Sequence, residues 1–104
     1  MQQITVVINQ LFEIKQKLIQ DKLADKYERN FNRLFAVLED AGYVLKDPLG
    51  EKYTDARTDC EASIAGKEAK NMTITQVLKP IIYQKADGGL QLIQKGLVIV
   101  EKSR

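Results

Sequence analysis

The chain has 104 residues, 44% of them hydrophobic, which is enough for one domain or for two small units sharing an interface and too few for two independent cores. Sixteen Lys and Arg against fourteen Asp and Glu leave a net charge of +2, with the signs alternating and no basic block, so nucleic acid is not an expected partner. Histidine is absent and Cys60 is the single cysteine, which excludes an internal disulfide and a thiolate-rich zinc site and suits a reducing compartment.

The opening run MQQITVVINQLFEIKQKL has no basic leader and becomes charged at Glu13, Lys15 and Lys17. It reads as neither a signal peptide nor a membrane span, so a cytoplasmic protein that makes no use of a membrane is expected. Ile4, Val7, Leu11, Ile14 and Leu18 recur at alternating steps of three and four, the spacing of one helix face, and Ile8 and Phe12 widen that stripe. The β-branched start, Ile4 to Ile8, also suits a strand, but the spacing favours a helix. A second stripe through Ala24, Tyr27, Phe31, Leu34, Leu38 and Ala41 is one residue out of phase, which predicts a break or shift between Gln20 and Ala24. Asp25 and Glu28 have capping-pair spacing at that break, and Gly42 can close the second helix. A stripe wider than one neighbour needs predicts a homodimer, with two helices from each chain forming a four-helix bundle. Its expected contacts are Ile4, Val7, Ile8, Leu11, Ile14, Leu18, Tyr27, Phe31 and Leu34.

After Gly42 the period changes. Asp47-Pro48-Leu49-Gly50 suits a type I turn and Asp87-Gly88-Gly89 a hairpin turn. Short strands are expected at Tyr43 to Leu45, Glu61 to Ile64, Thr73 to Leu78, Ile81 to Tyr83, Leu90 to Ile93 and Leu97 to Val100. Pro80 implies an edge or a bulge, as does Gly96, and Leu97 to Val100, apolar at both parities, is expected at the centre of a sheet. The fold class is therefore α+β, with a helical dimerisation region over residues 1–41 and a small, mostly antiparallel β unit over 42–104.

Catalytic chemistry finds few residues, and no enzyme activity, cofactor or resident metal is expected. No phosphate-cradling glycine loop or activated-serine pattern occurs. Asp55, Asp59 and Glu61 lack calcium-loop spacing and read as a solvated loop. Asp59 and Glu61 beside Cys60 raise a thiol pKa, which makes Cys60 an inert, buried side chain and not a nucleophile. Tyr27, Phe31 and Phe35 read as core, and Lys26, Arg29 and Arg33 as a solvated face or the rim of a partner site.

The run Thr73-Ile-Thr-Gln-Val-Leu-Lys-Pro-Ile-Ile82 lies without gaps on the Thr-Val-x-x-Val-Leu-x-x-Gly-Tyr pattern of the GrpE family, the nucleotide exchange factors of DnaK-type chaperones. Leu92 to Val100 resembles that family's closing Val-Leu-Arg-Pro-Ala-x-Val-x-Val, and Cys60-Glu-Ala-Ser-Ile64 its His-Glu-Ala-Val. The order of two helices, glycine and β unit is similar as well. The departures fall on polar positions: Ile81-Ile82 replaces Gly-Tyr, Gln94-Lys95-Gly96 replaces Arg-Pro-Ala, and Gln91 stands near a family arginine. The first stripe, at about 1.5 Å per residue, is expected to make only a short rod where the family has a long N-terminal paired helix.

The resemblance implies a co-chaperone that binds the nucleotide domain of a DnaK-type chaperone in an open state and so lowers ADP affinity. It places Leu78, Lys79, Gln91, Gln94 and Thr54 at partner-facing positions. Glutamine cannot reproduce an arginine fork, so binding weaker than that of a typical member is expected. The other expectation is a dimeric adaptor that retains the fold without exchange activity.

Overall fold

The computed structural model describes residues 2–68 and 70–103; Met1, Ala69 and Arg104, which fall within the two expected units, lie outside the described residues. Among the described residues two helices, α1 (Gln2–Gln20) and α2 (Ala24–Asp40), precede seven strands. These are β1 (Tyr43–Lys46), β2 (Lys52–Tyr53), β3 (Cys60–Ile64), β4 (Met72–Lys79), β5 (Ile81–Ala86), β6 (Gly89–Gln94) and β7 (Gly96–Lys102). The architecture is α+β. No described helix is long and apolar enough to cross a membrane.

The helical reading of Ile4 to Ile8 holds because the apolar spacing gives α1 a face to bury, and that gain outweighs the weak propensity of β-branched residues. The predicted break is present, but not by the predicted means. α2 begins after Leu23 with no side-chain cap, and Asp25 lies inside its first turn. The chain instead leaves α1 through Lys22 in the left-handed conformation, φ 61°. Leu23 N–H donates to Leu18 O at 2.8 Å and Lys22 N–H to Ile19 O at 3.1 Å, which together form a Schellman closure. A side chain at that φ is strained by about 1 kcal/mol. Lys22→Gly should therefore raise stability by about 0.5–1 kcal/mol, read as a shift of the urea midpoint at constant m-value.

Two sheets follow, ordered β1-β5-β6 and β2-β4-β7-β3. All neighbouring strands are antiparallel except β3 and β7, which pair in parallel from Cys60↔Gly96 to Ile64↔Val100. β7 lies between β4 and β3, the central place expected for it. The segment interrupted by Pro80 carries bulges, as expected, and Pro80, with no N–H to donate to a ladder, lies between β4 and β5, which belong to different sheets. The bulges fall on β4, between Ile74 and Gln76 and between Val77 and Lys79, and on β6, where Ile82↔Gln94 is followed by Tyr83↔Leu92. The turn at Asp47 also differs from expectation. Glu51 N–H bonds to Pro48 O at 3.1 Å and Gly50 has φ 84°, so Gly50 takes the third place that a type II turn reserves for glycine.

The β unit has its own core of Cys60, Met72, Ile74, Ile81, Val98 and Val100. The helices add Ile8, Phe12 and Phe31. α1 lies against β4 and α2 against β1. A polar tie joins α1 to the β unit: Asn9 Nδ2 donates to Gln94 Oε1 at 2.8 Å, and Gln94 Nε2 donates to Asn9 Oδ1 at 2.8 Å and to Pro80 O at 2.9 Å. The chain measures 40 × 39 × 19 Å, a thin slab in which few side chains lie deep.

Candidate functional site

The β unit carries most of the residues expected to face a partner, and β4 divides them. Leu78 and Lys79 end β4, where the bulge after Val77 turns the strand, and both side chains are exposed, Leu78 by 48%. The ladder to β7 holds this segment from Met72↔Lys102 to Lys79↔Leu97. Thr54 follows β2, which pairs with the opposite end of β4 through Tyr53↔Met72. The strand between them has eight residues, so roughly 20 Å separates Thr54 from Leu78.

Gln91 is exposed on β6, opposite Gln84 on β5. Gln94 lies near Leu78 and Lys79 through its bond to Pro80 O, but its amide is closed inside the chain by Asn9. The structure therefore gathers Leu78, Lys79 and Gln94 at the junction of the two sheets and keeps Thr54 apart. Asn9 was not singled out in the sequence. Its signal was a short amide between Thr5 and Phe12 on the face that α1 turns to the β unit.

Beside Leu78, α1 and β4 enclose a cleft of about 380 Å³ whose walls include Phe12, Gln16, Leu49, Val77 and Leu78, with Glu13 and Lys17 at the rim. Leu49 is also exposed, so two leucines stand at its mouth. Phe12 also borders a second cleft, of about 330 Å³, against Phe35, Leu38, Tyr43 and Leu45.

The loop that carries Thr54 is fixed by an ion network. Arg57 Nε donates to Asp59 Oδ1 at 2.6 Å and Arg57 Nη2 to Glu51 Oε1 at 2.8 Å, while Nη1 donates to Lys52 O at 3.1 Å. Arg57 N–H donates to Thr54 O at 3.0 Å and closes the turn. With only 14% of its side chain exposed, Arg57 is held charged chiefly by the Asp59 hydrogen bond. The same bond is the main reason that the Asp59 carboxyl lies below the usual carboxylate range. Because the folded pKa is lower than the unfolded value of about 3.9, the pair contributes stability that is complete above about pH 4 and is lost as pH falls through the folded value. Asp59→Asn should cost about 1–2 kcal/mol at pH 7 in urea unfolding, and the difference from the parent should shrink in acid.

Cys60 is buried in the core, and its thiol is pushed up, first by burial and then by Asp59, against an opposing pull from Arg57. The sequence reading assigned that rise to the carboxylate neighbours, and burial is the larger cause. Asp55 and Glu61 are exposed while Asp59 is turned to Arg57.

On the helices the expected dimer contacts fall into two groups. Ile8 and Phe31 are closed inside the chain's own fold, and so is Phe12, because α1 uses that face to pack on the β unit and α2. They therefore leave the set of contacts open to a second chain. Val7, Ile14, Tyr27 and Leu34 are exposed, and Ile4, Leu11 and Leu18 are half-buried. Tyr27, expected in the core, is on the outside, whereas Phe31 and Phe35 stack within the protomer at 6.2 Å. No protein-family model, curated protein or solved structure matches the chain.

Proposed function

We propose that this chain is a GrpE-like co-chaperone of the cytoplasm. It pairs with a second copy through its helices and grips the nucleotide domain of a DnaK-type chaperone with its β unit. The observation that carries this reading is Leu78, a large apolar side chain exposed at the bulged end of a strand whose backbone is bonded along its length to β7. An anchor on a braced strand loses little conformational freedom on binding, which suits a contact that must hold a partner lobe open. The β unit favours the open lobe arrangement over the closed one, and ADP affinity falls by the same coupling factor. The protein needs no catalytic group for this.

The test is release of a fluorescent ADP analogue from a DnaK-type nucleotide domain with this protein at micromolar concentration. Acceleration of about tenfold, or 1.4 kcal/mol of barrier, is the expected result, and Leu78→Ala should remove most of it. No acceleration with cognate and generic chaperones alike overturns the exchange reading.

A second reading, an adaptor that binds without exchange, draws support from Gln94. Its amide is bonded to Asn9 and Pro80 O, and Gln91 offers no guanidinium fork, so the polar half of the family's grip is reduced. A dissociation constant in the micromolar range fits both readings. Only ADP release separates them.

A further inference from the structure

Each helix carries an outward apolar stripe. On α1 it is Ile4, Val7, Leu11, Ile14 and Leu18, of which Val7 and Ile14 are exposed and the other three half-buried; on α2 it is Leu23, Tyr27, Asn30, Leu34, Val37 and Ala41, again at alternating steps of three and four. α1 turns Asn9, Phe12 and Gln16 to the β unit. α2 folds back along α1, which sets Phe12, Lys15 and Ile19 beside Phe35 and Leu38, so the helical spacing turns both stripes away from β4; at the start of α1, Ile4 and Val7 also border Tyr43 of β1. Val7, Ile14, Leu23, Leu34 and Val37 are each 44–61% exposed. With Tyr27 they leave roughly 500 Å² of apolar surface, near the top of the range for a single patch on a monomer. With a polar rim this approaches the ~800 Å² per partner of a stable interface.

Apart from the Tyr27 hydroxyl, the Asn30 amide is the only polar side-chain group in either stripe, and among the described residues it is bonded to none. Resting on the self-association proposed above, we propose that Asn30 sets the geometry of that pairing by meeting the Asn30 of a second copy at the two-fold axis. Covering the stripe with a second hairpin takes this amide out of water, and leaving it unbonded costs about 1–3 kcal/mol. The α1 stripe of a second copy has no polar side chain to offer. Another α2 offers an identical amide, and two amides can bond reciprocally, as Asn9 and Gln94 do at 2.8 Å within the protomer. In an isologous interface a residue meets itself only at the axis, so the axis passes beside Asn30. A lone asparagine in an apolar seam selects register and oligomer number at some cost in affinity.

The test uses the full chain with Cys60→Ala. Asn30→Cys should give a disulfide-linked dimer with oxidised glutathione, whereas Arg29→Cys, one step around the helix, should stay largely uncrosslinked under the same conditions. Asn30→Leu, with helix content checked by circular dichroism, should tighten association about tenfold or move the light-scattering mass beyond two chains. A parent mass of one chain at micromolar concentration overturns the self-association and this inference together. A two-chain parent in which Asn30→Cys crosslinks no better than Arg29→Cys, or in which Asn30→Leu changes neither mass nor affinity, overturns the role of Asn30 alone.

Discussion

Truncating Phe12 to alanine should lower the free energy of unfolding by about 3–5 kcal/mol, the largest loss expected from any single change on the helices. Phe12 is 3% exposed and borders both clefts, so its ring is the wedge between α1, α2 and the β unit. Two clefts already flank it, and the neighbouring side chains cannot close over the space it leaves. The β unit has its own cluster around Ile74, Val98 and Val100, to which Phe12 does not belong. Hydrogen exchange should therefore show amides of α1 losing protection first while those of β7 keep theirs relative to global unfolding. Uniform loss of protection in α1 and β7, or a urea midpoint shift equivalent to less than about 1 kcal/mol, would refute the wedge.

Gly96→Val should cost about 3 kcal/mol, at the upper end of overpacking effects. A Cβ at Gly96 would lie 3.0 Å from Ile81 Cγ1 and 3.3 Å from Cys60 Sγ, and the residue is buried. Ile81 is fully buried at the first position of β5 behind Pro80, so it cannot swing aside. Gly96→Ala should cost about 1 kcal/mol, because relief of glycine's conformational entropy offsets part of the clash. Ile81→Ala alone costs about 2–5 kcal/mol, and in the Gly96→Val background it should cost at least about 1 kcal/mol less, since the truncation opens the space that valine needs. Strict additivity in that double-mutant cycle would mean that the two residues do not share the space.

Helix and strand positions were legible because periodicity records which face an element must bury. Each expected strand from Tyr43 to Val100 appears, with bounds within one or two residues except that β5 runs three residues past Tyr83 to Ala86. Only the two-residue β2 was missed; a bridge that short leaves no alternation to read. Gly42, with φ 100°, closes α2 as expected, since glycine bears a positive φ without strain. The interhelix turn was misattributed because a lysine in the left-handed region leaves no compositional mark.

The candidate site was less legible. Leu78 and Lys79 stand exposed, but Gln94 is bonded inward, and nothing local in the sequence announces a bonding partner 85 residues away. The Arg57 network was missed for a related reason. Its acceptors, Asp59 and Glu51, look like any loop carboxylates until the turn at Thr54 brings them together.

The sequence by itself determined the two helices, the change to strands after Gly42, the central place of Leu97 to Val100 and the scarcity of catalytic groups, because each depends on residue type and short-range spacing. Tertiary structure alone decided which apolar stripe of α1 turns inward. Ile8 and Phe12 are buried while Val7 and Ile14 stay outside, although either set satisfies a helical period equally well. It also decided the parallel pairing of β3 with β7 and the division at Pro80 into two sheets. These are contacts between distant segments, and their free energy depends on what lies opposite, which no local pattern records.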